Sequence, residues 1–192
     1  MNGSASPLAA RIVGGVAGAF LLARGRAQGL ALIDPSPAGA WASFAAMWLC
    51  APGYVVLRAL GGGAGGEGLR LVAAEAIGYV IGWFAFPLIM LGVAEGLGRR
   101  ARFPGFVAAW NWSKLPQLLA VLATALLAAT GLLPGLAADV LGFGALAYAL
   151  WLSWFVARES LAIDGTRAGF VVGADVLLGL FITGLTITLS RG

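Results

Sequence analysis

Asn111 and Lys114 stand in the run FVAAWNWSKLPQ, and Asp175 in the run RAGFVVGADVLLGLFI, each among apolar neighbours. Arg158 closes a third apolar stretch, ALWLSWFVAR. A carboxylate, an amine, a guanidinium and a carboxamide in apolar surroundings are costly unless they find partners. Their chemistry is therefore pairing: Asp175 with Lys114 or with Arg158, and Asn111 as a hydrogen-bonding neighbour. Pro116 lacks an N–H and frees the carbonyl of Trp112 beside them. Such a cluster either pins helices together or lets side chains snorkel. Alternatively, it holds a headgroup, an ion or a substrate. Glu75, about a turn into another apolar run, is a secondary candidate.

Other chemistries are not on offer. The chain has no His, which removes His-ligated haem, copper and most catalytic zinc sites, and His-based proton transfer. Its one cysteine, Cys50, has no intrachain disulfide partner. The glycine run 61–68 lacks the Lys-Ser/Thr of a nucleotide loop, and neither G-x-S-x-G nor H-E-x-x-H occurs. We expect no catalytic residues, no metal, no cofactor and no enzymatic activity.

The elements that must position the cluster follow from composition. Of the 192 residues 60% are hydrophobic and 10% charged, and a soluble domain usually carries about 25% charged residues. So few charges cannot cover a water-facing surface, so lipid must solvate the chain. Lipid leaves only helices or closed barrels. Long runs rich in Ala, Leu and Gly, without alternation, indicate helices. The net charge of +4 comes mainly from arginines that flank these runs, which reads as a topology signal and not as nucleic-acid binding.

Residues 1–7 read as a frayed terminus. The stretch from Ile12 to Ala23 is bounded by Arg11 and by Arg24 and Arg26. As a helix it spans only ~18 Å, against a hydrocarbon core of ~30 Å. It is read as an amphipathic helix in the interface, with a short re-entrant helix as the alternative. Asp34-Pro35-Ser36-Pro37 is a break at which Ser36 can cap the next helix. Spanning helices are then expected over 38–60, 71–97, 105–130, 135–157 and 168–189. Gly61 to Gly68 serves as a connector, and 158–167 as a polar loop. Kinks are expected at Pro87 and Pro116. The fold class is thus all-α, with an interfacial segment over 1–34 and a five-helix transmembrane bundle over 35–192.

Arg11, Arg24, Arg26, Arg99, Arg100, Arg102, Lys114, Arg158 and Arg167 fall on the side of the N-terminus. Arg58, Arg70 and Arg191 fall on the other. This bias predicts a cytoplasmic N-terminus and a periplasmic C-terminus. Arg11, Arg24, Arg26, Arg99, Arg100 and Arg102 are expected at the lipid interface. Trp41, Trp110, Trp112, Trp151 and Trp154 read as interfacial aromatics, and Trp83 as a packing residue. Three small-xxx-small spacings recur, Gly14/Gly18, Gly78/Gly82 and Gly169/Gly173, which suit close helix approach or an oligomer face.

The order GLALIDPSPAGAWASF, then FVAAWNWSKLPQ, then WFVARESLAIDGTRAGFVVGADVLLGLFI resembles a group of five-helix membrane proteins of alphaproteobacteria, similar in layout to the Yip1 domain. The resemblance implies a bundle in the bacterial inner membrane that associates with other membrane proteins and performs no catalysis. The expected function is an accessory or organising subunit whose partners are the bilayer and other membrane subunits, or copies of itself. The alternative is a small transporter or channel with its polar site in the cytoplasmic leaflet.

Overall fold

A computed structural model describes residues 7–61 and 69–191. The expectations for the frayed terminus and for the glycine connector fall largely on residues outside these. The described chain is helical throughout, without strands. Its helices are α1 (Pro7–Leu22), α2 (Pro37–Ser43), α3 (Ala45–Leu60), α4 (Leu69–Gly96), α5 (Phe103–Ala129), α6 (Gly135–Leu161) and α7 (Gly165–Arg191). Short 3₁₀ turns occupy Ala27–Leu32 and Arg100–Arg102. Five segments are long and apolar enough to cross a membrane: Pro37–Leu60, Leu71–Gly96, Arg100–Ala129, Gly135–Leu161 and Gly165–Leu189. The protein is membrane-embedded, with α1 as a shorter apolar helix.

The first span is interrupted where one continuous helix was expected. Ser43 donates its hydroxyl to the Ala40 carbonyl at 2.6 Å. Phe44 N bonds back to Trp41 O at 3.2 Å, and Met47 N to Phe44 O at 3.0 Å. These three-residue bonds tighten the chain at Phe44 and separate α2 from α3. The start of α2 follows the sequence rule, since Gly39 N donates to Ser36 Oγ at 3.1 Å. Asp34 Oδ1 in turn accepts from Ser36 N at 2.9 Å.

The fourth span runs a turn further than expected. α6 continues through Arg158 to Leu161 and stops where Ala162 turns left-handed, with φ of 49°. The connector shrinks to 162–164, and Trp154 Nε1 donates to Gly165 O at 2.8 Å, tying α6 to the start of α7.

α1 and the 3₁₀ turn after it form a hairpin that packs on α5. A methyl on Gly14 would stand 2.5 Å from Leu32 O, and one on Gly18 2.6 Å from Gly29 O, so these positions admit only glycine. Gly15 lies against the indole of Trp112. Ala19 and Leu22 are fully buried, while Leu8, Val13 and Phe20 face outward. Tyr148 of α6 donates to Ala23 O at 2.9 Å, which fixes the tip of the hairpin. Arg11, expected at lipid phosphates, is instead held by Asp34, with Nε 2.7 Å from Oδ2. Arg24 and Arg26 are exposed at the turn.

α5 is the centre of the bundle and packs on α1, α2, α3 and α6. Trp110 and Trp112 lie in the core and not at the interface, each 2% exposed. α4 packs chiefly on α7 and only lightly on α5. That uneven packing leaves a space between the helices.

Candidate binding site between the helices

The space is a cavity of about 900 Å³ bordered mainly by α3, α4, α5 and α7. Two ion pairs line it. One joins Lys114 of α5 to Asp175 of α7, with Nζ 3.1 Å from Oδ2. The other joins Arg58 of α3 to Glu75 of α4. Each pair links two different helices, and all four side chains are partly exposed.

The Lys114 pair follows from helix phase. Lys114 comes one turn after Trp110, so its ammonium also lies over that indole, 4.8 Å from the ring centroid. α5 and α7 both rise from the bundle end that carries Arg99 to Arg102, and Lys114 and Asp175 lie at matching distances along them. The Arg58 pair joins helices consecutive in the chain: Arg58 lies in the last turn of α3 and Glu75 in the second turn of α4. Their unequal distances from the connector gave the sequence no signal of this pairing.

The expected cluster is only partly assembled. Lys114 and Asp175 meet. Asn111 is 2% exposed and donates from Nδ2 to Ser43 Oγ at 2.9 Å. It borders the cavity, but its amide ties α5 to α2. Arg158 is not beside Asp175. Its guanidinium lies 5.4 Å from the Trp154 ring centroid, and its Nε is 3.9 Å from Glu159 Oε1. The extra turn of α6 explains this, because a residue four before Arg158 shares its face. Glu75, the secondary candidate, is paired with Arg58 and not left alone. Arg100 is bonded to Glu95 at 2.7 Å on the exposed basic turn.

Gln117, Ser153 and Tyr79 went unnoticed in the sequence. Gln117 Nε2 donates to Ser153 Oγ at 3.2 Å and to Ser113 Oγ at 3.3 Å, fastening α5 to α6. Tyr79 donates its hydroxyl to Met47 O at 2.6 Å across the cavity wall. Thr186 and Thr188 donate to carbonyls of their own helix, as hydroxyls in apolar helices do.

The remaining lining is apolar and aromatic, with Tyr54, Trp83, Phe86, Leu118, Val121 and Ile182 prominent. Gly82 and Gly179 open onto the cavity, and a methyl on either would meet nothing within 4 Å. Gly78, by contrast, lets Thr186 approach, so α4 and α7 touch closely there. Apolar walls with a few convergent charges are the usual make-up of a small-molecule site, and the volume falls in the usual range. No family model, curated protein or solved structure matches the chain.

Proposed function

We propose that this chain is a non-catalytic integral membrane protein that binds a small polar molecule between its helices and passes it across the bilayer. The observation that carries this reading is a cavity of about 900 Å³, among membrane-spanning helices, lined by two separate ion pairs. Charges in apolar surroundings are retained at a cost, and lining a cavity with them suits a ligand that engages them. Pro52, Pro87 and Pro116 lie inside α3, α4 and α5, the helices that border the cavity, and give each a place to bend. The arginine distribution supports a cytoplasmic N-terminus and basic turn, and a periplasmic C-terminus. A helical bundle fits a bacterial inner membrane.

Native mass spectrometry of gently extracted protein tests the binding. The wild type should release a small molecule, and Gly82→Trp, which fills the cavity without a backbone clash, should not. A wild type that carries nothing, and that in liposomes passes solutes no faster than protein-free vesicles, would refute the reading.

A second reading, an accessory subunit of a larger assembly with a Yip1-like layout, draws on α7. Gly169 and Gly173 there face open space and offer a small-residue face for another helix. Co-purification of a stoichiometric membrane partner that Gly169→Leu releases would favour it.

A further inference from the structure

We infer that the cavity takes a zwitterion: a molecule with an ammonium group close to a carboxylate or phosphate, carried on an apolar body. This rests on the binding reading above and names the ligand class.

The argument is one of charge balance. The two cations and two carboxylates on the cavity wall are matched pair by pair. Among membrane-spanning helices the effective dielectric is low, and an unmatched charge is expensive there. A cationic or an anionic ligand would leave one charge over. An uncharged apolar ligand would leave the ion pairs untouched and would have no use for them. A zwitterion inserts into an ion pair and keeps the site neutral. Its anionic group takes Lys114, its ammonium takes Asp175, and one ion pair is exchanged for two.

The geometry suits that exchange. Lys114 and Asp175 come from different helices, so opening their 3.1 Å contact requires no change within either helix. Trp110 remains under the Lys114 ammonium throughout and partly compensates it as the contact opens. Beyond the charges the wall offers Trp83, Phe86, Leu118 and Val121 to an apolar body. The Arg58–Glu75 pair repeats the same offer elsewhere on the same cavity, a second station for the same chemistry.

Two sources supply this chemistry: a free apolar amino acid, and the headgroup of a zwitterionic lipid. Thermal unfolding of the full chain in detergent, followed by tryptophan fluorescence, separates them. The probes are L-phenylalanine, phenethylamine, 3-phenylpropionate, and short-chain phosphatidylethanolamine and phosphatidylglycerol. At about ten times the dissociation constant a binder should raise Tm by roughly 3–6 °C. We expect that rise from L-phenylalanine or from phosphatidylethanolamine, with the responding member identifying the source. Phenethylamine, 3-phenylpropionate and phosphatidylglycerol should give none. The neutral double variant Lys114→Met/Asp175→Leu should lose most of the rise, and adding Arg58→Met/Glu75→Leu should abolish what remains. If that variant fails to fold, Gly82→Trp serves in its place. A single-charge probe that stabilises the wild type as much as the zwitterions, and loses its effect in Gly82→Trp, overturns the zwitterion assignment and leaves the cavity a binding site. No rise from any probe also overturns the assignment, and the mass-spectrometric experiment then decides separately whether the cavity is a site at all.

Discussion

α4 and α5 are alike in length, apolar content and an internal proline, yet they do opposite things. α5 buries Phe106 through Ser113, together with Pro116 and Gln117. α4 buries only Phe86, Met90 and Ala94 among its described side chains. The difference lies in what accompanies the apolar residues. α5 carries Asn111 and Gln117, whose hydrogen bonds fasten it to α2 and α6, and Gly15 of α1 admits its Trp112 indole. α4 has no such set, leans on α7, and leaves its other face to the cavity. The polar groups around α5 and the cavity thus divide by what they bond. The amides of Asn111 and Gln117 bond α5 to its neighbours, while the pairs Arg58–Glu75 and Lys114–Asp175 bridge helices around the space beside α4.

The sharpest test of that division uses glycines. Gly15→Leu should drive a side chain into the buried Trp112 indole and cost about 3 kcal/mol or more. Gly82→Leu, over open cavity, should leave thermal unfolding nearly unchanged. Equal Tm losses would erase the contrast between a packed side and an open one.

Next in size is the Lys114–Asp175 pair. Asp175→Asn leaves an ammonium without its counter-charge. Breaking a fully buried pair costs about 3–5 kcal/mol, but these side chains are 30% and 24% exposed, so about 1–3 kcal/mol is expected. Adding Lys114→Met should recover most of that loss, which a double-mutant cycle reads directly. Failure of the second change to recover anything would mean that the two charges are not coupled.

Asn111→Ala removes the bond to Ser43 and should cost about 0.5–1.7 kcal/mol, the range of interhelical hydrogen bonds in membranes. Ser43→Ala should cost a similar amount, and the two should not add. Additivity, measured by Tm in detergent, would show that the bond contributes nothing.

The smallest effect belongs to Asp34, outside the spans. The Ser36 backbone N–H, then the Ser36 hydroxyl and the Arg11 guanidinium, hold its carboxyl below the ordinary 3.8. A depressed folded pKa contributes stability at pH above that ordinary value, and the contribution fades as pH falls through the folded one. Wild type should therefore lose slightly more stability than Asp34→Asn between pH 5 and pH 3. Parallel pH profiles would remove Asp34 from the account.

Lys114 and Asp175 were legible as a possible pair because both lie about ten residues into helices that start from the same end. The rise per residue then sets equal depth. Arg158 was an equal candidate because α6 was expected to stop at it. One more turn leaves Arg158 above Trp154, and only the cap at Ala162 shows where the helix ends. The tryptophans misled for a related reason. Distance from a helix end says how deep Trp110 and Trp112 sit, but not which way they face in a helix apolar all round.

The amino-acid sequence by itself determined the solvent, the element type and the number of long spans. Each depends on local composition: too few charges for water, and apolar runs as long as a bilayer is thick. Tertiary structure alone decided that α1 turns back as a glycine-packed hairpin, that Arg58 meets Glu75, and that α4 stands off from α5 to leave a cavity. These depend on how helix faces fit one another. In helices apolar on every side the pattern carries no signal of which face turns inward, so packing alone chooses it.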